Sequence, residues 1–157
     1  MSMAETAHAI TLGALGTAEI ARGVSRLLLG CGMSPLIEFS LPNGRRLDVA
    51  AIANDGAIIG VEIKISIGDL LADAKWPEYL GFCDLFYFAV PPDFPQQRIP
   101  QEPGLIVADR FGGAIVRESP RTALHPSRRR SLTLSFAQTA AFRLARGLDP
   151  QGWPGAA

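Results

Sequence analysis

Between Thr17 and Gly30 the apolar residues Ile20, Val24, Leu27 and Leu28 recur at helical spacing, with Glu19, Arg22 and Arg26 on a separate polar face. Thr17 reads as the N-cap, and Gly30 and Gly32 as the stop, so the pattern predicts a first helix. The period then falls to two. Leu36 to Leu41 reads as a strand, Pro42-Asn43-Gly44 as a turn and Arg45 to Ile52 as the return strand. Asn54-Asp55-Gly56 makes a second turn, and Ala57 to Ile65 a third strand, completing an antiparallel meander. After Ser66 the pattern becomes helical from Asp69, with Pro77 expected to kink that helix or begin another. Asp84 to Val90 is almost wholly apolar, as in a central strand covered on both faces, and the intervening helix predicts a parallel crossover. A proline-rich loop from Pro91 to Pro103 follows. A hairpin then spans Leu105–Ala108 and Ala114–Arg117, and a closing helix runs from Ser131 to Arg146. Residues 1–16 and 148–157 read as loosely ordered ends of one domain.

Two charges interrupt the most apolar part of this pattern. In Ile58-Ile59-Gly60-Val61-Glu62-Ile63-Lys64-Ile65, Glu62 and Lys64 are two apart and share one face of the strand. Charged groups emerging from an apolar strand are costly unless paired or used. A cross-strand ion pair is the plain explanation. Asp48 lies inside the apolar run of the preceding strand, and adjacent strands are about 4.8 Å apart. Asp48 and Glu62 are therefore near enough to share a divalent cation, and two carboxylates with a backbone carbonyl and water form a partial shell that suits Mg²⁺. Lys64 beside them suits orienting water or neutralising a phosphate.

Composition narrows the field only a little. The chain has 157 residues, 48% hydrophobic and 19% charged, as expected of one globular domain with a full core. The formal net charge is +0, so any nucleic-acid site must be a local patch. Cys31 and Cys83 have no ligand-like spacing, which argues against a disulfide framework or structural zinc and fits a reducing cytosol. No basic leader precedes an apolar run and no stretch is long enough to cross a membrane, so the expected compartment is the cytoplasm.

The order of helix, meander, strand aspartate, E-x-K and helix resembles the PD-(D/E)xK nuclease superfamily. A more specific likeness rests on Arg46-Leu47-Asp48-Val49, Val61-Glu62-Ile63-Lys64-Ile65-Ser66, Asp69, Asp73-Ala74-Lys75-Trp76-Pro77-Glu78-Tyr79 and Cys83 to Val90. These segments resemble the MmcB-like DNA-repair proteins of alphaproteobacteria, over about residues 17–117. The resemblance implies an α/β, restriction-endonuclease-like fold, with a mixed central sheet flanked by helices. It implies a Mg²⁺- or Mn²⁺-dependent DNA endonuclease in which Asp48 and Glu62 bind the metal and Lys64 is catalytic. It further implies a contributing residue on the next helix, for which Lys75 is the nearest candidate. Some resolvase-like members carry a glutamate on the first helix, a position Glu19 would fill; an i+3 pair with Arg22 is the competing reading.

Other candidates have two readings each. With a two-residue loop, Phe39 lies opposite Asp48. With Pro42 in a three-residue loop, Glu38 lies opposite Asp48 and joins the metal site, and Pro42's missing donor favours this register. Trp76 and Tyr79 suit base stacking or packing on the sheet, with packing favoured. Asp69 reads as a cap, while Asp73 and Asp84 are further acids within possible reach of a metal. His8 and His125 lack matching ligands. Arg128-Arg129-Arg130 is either a solvated helix start or a phosphate-contacting patch. The functional alternatives are a DNA-repair nuclease, an inactive DNA-binding partner of other repair proteins that keeps the fold, and a structural protein whose Glu62 and Lys64 pair together. A homodimer is compatible with each.

Overall fold

A computed structural model describes residues 15–152; His8, most of the lead-in and the last five residues lie outside the described residues. Helix α1 (Thr17–Gly30) is followed by strands β1 (Ser34–Ser40), β2 (Arg46–Ile52) and β3 (Ile58–Ile63). A short helix α2 (Ile67–Ala72) and a 3-10 helix (Trp76–Phe82) lead to β4 (Leu85–Val90). Strands β5 (Gly104–Ala108) and β6 (Gly113–Arg117) precede the long helix α3 (Pro126–Leu148). All six strands join one sheet in chain order, with β3–β4 and β4–β5 parallel and the other pairs antiparallel. This is the mixed, helix-flanked sheet that the sequence predicts, with β5 added as a second parallel neighbour.

The sheet divides two cores. On one face α1 buries Ile20, Val24 and Leu28 against Val49, Val61 and Ile106. On the other, the 3-10 helix and α3 cover Phe39, Leu47, Phe86 and Phe88. Each such large side chain contributes about 1.5–3 kcal/mol by leaving water. Close backbone approach fixes α1 on its face, because a Cβ on Gly23 would lie 1.8 Å from the Asp109 carbonyl oxygen.

Several boundaries differ from the sequence reading. Gly16, not Thr17, is the N-cap of α1, and its N–H donates to Glu19 at 2.9 Å. The second helical region breaks at Asp73 because Pro77 has no N–H to continue it and is accommodated only at the start of the 3-10 turn. Helix α3 starts five residues before Ser131, at Pro126, with the His125 ring accepting from the Ser127 N–H. Proline suits that first-turn position because its missing donor has no helical partner there.

Candidate active site

The β1–β2 register pairs Ser40 with Arg46, Phe39 with Leu47 and Ile37 with Val49, so the hairpin loop contains Pro42, Asn43 and Gly44. That register sets Glu38 across from Asp48. The two strands also change phase there. Leu36 and Phe39, three residues apart, pack on the same core, as do Leu47 and Ala50. A strict two-residue alternation cannot do this. The break falls at Glu38, whose φ of 51° lies in the left-handed region that a non-glycine residue rarely adopts. Arg143 of α3 grips this point, donating to the carbonyls of Ile37 and Glu38. The roll turns Asp48 out of the core, half-buried, beside a cleft under α1.

The β2–β3 register pairs Val49 with Val61, so its next step brings Asp48 opposite Glu62. The side chains bridge the strands at this step. Asp48 Oδ2 accepts from the Ile63 N–H at 2.7 Å, and Glu62 Oε1 accepts from the Asp48 N–H at 3.2 Å. Glu62 is 5% exposed. Burial first, and the neighbouring Asp48 charge second, push its carboxyl up to about 8, against the pull of Lys64 and the Asp48 amide. Burial also raises Asp48, outweighing the Ile63 amide and Lys64. Lys64 is buried just beyond the end of β3, where its N–H continues the parallel ladder to the Ala89 carbonyl. Its ammonium is held by Asp73 Oδ2 at 2.8 Å. Asp73, undecided from sequence, is thus the partner of Lys64 rather than a free acid. Pro77 was the available signal, because a helix stopped before Trp76 leaves Asp73 in the connection beside the strand.

The remaining candidates separate. Glu38 takes the position facing Asp48, but its carboxylate is exposed and lies 3.8 Å from Arg46. Among the described residues no group of three or more acid, histidine or cysteine side chains converges on one metal position. The expected third ligand is therefore not gathered, because the backbone turnover at Glu38 aims its side chain toward Arg46. The Asp48–Glu62 pair remains, and Mg²⁺ is commonly held by one or two carboxylates with water completing its octahedron. Burial raises both carboxyls, and the Asp48 charge adds to the rise at Glu62, so the pair is a donor set that a cation would relieve.

Lys75 is exposed, and its ammonium has no ion pair among the described residues; its N–H donates to Asp73 and its carbonyl accepts from the Glu78 N–H. Glu19 caps α1 and lies 3.7 Å from Arg110 instead of pairing with Arg22. Ser66, not Asp69, is the N-cap of α2: its hydroxyl accepts from the Asp69 N–H, while the Asp69 carboxylate accepts from the Ile65 N–H. Trp76 and Tyr79 both stack on Phe86, and so pack against the sheet. Asp84 does not approach the acid pair. It is buried and accepts from the Ile58 and Leu124 amides and from Arg129. That bond removes Arg129 from the arginine run, and Arg128 donates to the Gly81 carbonyl while lying over Phe82. The expected patch of three phosphate-binding arginines is thus reduced, because two of them bind the protein itself.

The family described as DNA repair protein MmcB-like matches residues 12–151. A solved structure, titled as the SPO1766 protein of unknown function from Silicibacter pomeroyi, is 40% identical, with a TM-score of 0.88, over 92% of this chain and 99% of that one. No curated protein matches the chain.

Proposed function

This chain belongs to the MmcB-like DNA repair protein family, and from that membership we propose that it hydrolyses phosphodiester bonds in DNA with the help of Mg²⁺ or Mn²⁺. The observation that supports this reading is the mutual lock of Asp48 and Glu62 across β2 and β3, with Lys64 beside them. Asp48 and Glu62 would hold the ion. When bound, the metal supplies charge stabilisation at the phosphate and a more acidic water. Lys64, held in place by Asp73, orients the attacking water. Glu62 must give up a proton before it can serve, so binding of the ion draws on the high value at which burial and Asp48 hold that carboxyl.

The test is nicking of supercoiled and branched DNA with Mg²⁺ or Mn²⁺, with Asp48→Ala and Lys64→Ala inactive. Full activity in both variants rejects the assignment. A second reading, an inactive DNA-binding partner of other repair proteins, is favoured by one feature: Glu62 and Lys64 are each only 5% exposed. Salt-sensitive DNA binding with no calorimetric heat from Mn²⁺ would select it.

A further inference from the structure

Between α1 and the β1–β2 hairpin lies a cleft of about 630 Å³. Thr17, Arg22 and Ser25 line one wall; Ile37, Glu38 and Asp48 line the other. Two acids share this space with one exposed arginine, yet the arginine pairs with neither. The Glu38 carboxylate is turned to Arg46, and Asp48 accepts from the Ile63 amide. The other charges around α1 are also engaged, Arg26 by the Phe111 carbonyl and Glu19 by Arg110. Arg22 has no ion pair among the described residues. A guanidinium left open across the cleft from Glu38 and Asp48 presents the planar donor set that phosphate accepts in two bonds.

We propose that this cleft seats the sugar-phosphate backbone of a nucleic-acid strand, with Arg22 as its phosphate contact on the α1 wall opposite Asp48. The inference rests on the DNA reading above and extends it to a path for the strand. The volume suits a group of nucleotide size. Ile37, 49% exposed, offers an apolar surface to a sugar beside the charged groups. Overall neutrality requires the positive contact to be local, and Arg128 and Arg129 are committed elsewhere. Outside the lining, Arg46 reaches Glu38 of the cleft wall at only 3.8 Å with its side chain 61% exposed, so it can exchange that carboxylate for a phosphate.

The experiment is anisotropy of labelled single- and double-stranded DNA bound to the full chain in EDTA, at several salt concentrations. Wild type should show log K falling steeply with log salt, and Arg22→Ala should lower that slope by about 1 for any sequence. Arg22→Lys should restore the slope. Arg98→Ala, on the Gln96–Arg98 turn outside this cleft, should leave it unchanged. An Arg22→Ala slope equal to that of a steep wild type overturns the cleft assignment alone, while the Asp48 and Lys64 variants still decide the nuclease reading. A wild type that binds neither DNA, or binds without salt dependence, overturns both. Mn²⁺ affinity should be the same in Arg22→Ala as in wild type; its loss would show that the substitution disturbs the Asp48 wall and would also overturn the assignment.

Discussion

Glu62→Gln should stabilise the metal-free protein, and the gain should grow with pH. In the folded chain burial and then the Asp48 charge raise the Glu62 carboxyl from 4.5 to about 8. Between those values the folded state holds a proton that the unfolded state releases. The sign follows: stability is fully present below the unfolded value and is lost as pH rises through the folded one. Linkage over that interval gives a cost of about 1 kcal/mol at pH 5 and about 4 kcal/mol at pH 8. Glutamine removes the titration and still presents an oxygen to the Asp48 N–H. The difference between variant and wild type should therefore widen by about 3 kcal/mol from pH 5 to 8. For a chain of 157 residues each kcal/mol moves Tm by about 2–4 °C, so the widening is about 6–12 °C. Thermal unfolding followed by circular dichroism in EDTA at four pH values measures it. Other groups titrate alike in both proteins and largely cancel. A difference that stays flat from pH 5 to 8 would refute the idea that Glu62 is held protonated against Asp48. Added Mn²⁺ should then raise Tm at pH 8 in wild type more than in the variant.

Three further outcomes follow from the same geometry. Asp73→Asn should cost about 2 kcal/mol through its weaker bond to the buried Lys64, and a double-mutant cycle with Lys64→Met should show coupling, whereas additive losses would contradict the pairing. Arg129→Ala should lower stability in urea by about 2–3 kcal/mol, because Asp84 then keeps only its two amide donors in a buried position. Burial opposes the Asp84 charge, but Arg129 and those amides outweigh it and hold the carboxyl below 3.8, so its stabilisation is present above that pH and should vanish on acidification. Gly23→Ala should cost more than the usual 1–3 kcal/mol of overpacking (about that range for yielding side chains), since its methyl meets the Asp109 backbone at 1.8 Å; a normal urea midpoint would contradict the close approach of α1 to the β5–β6 loop.

Much of this architecture was legible in local pattern. The helical spacing of Ile20, Val24 and Leu28 and the continuous apolar run before Pro91 placed α1 and β4. Pro42 indicated the hairpin register, because a three-residue loop spares it from a ladder position. The likeness carried by the E-x-K strand and the Asp73–Tyr79 segment pointed to the family that the comparison shows. Less legible were groups whose meaning depends on a distant partner. Local pattern leaves Arg129 as either a solvated helix residue or a phosphate contact; its bond to Asp84, 45 positions away, makes it neither. Glu38 occupied the expected register position, but its positive φ sent its carboxylate elsewhere.

By itself, then, the amino-acid order determined where α1, the meander and β4 run and set Glu62 and Lys64 two positions apart at the end of β3, since side-chain direction repeats every two or 3.6 residues whatever surrounds it. Only the tertiary structure decided that Asp48 rolls out to meet Glu62, that Asp73 holds Lys64, and that Arg22 is left open over the cleft. Those outcomes depend on burial, repulsion and hydrogen bonding among residues from separate elements. No local period encodes the balance between them.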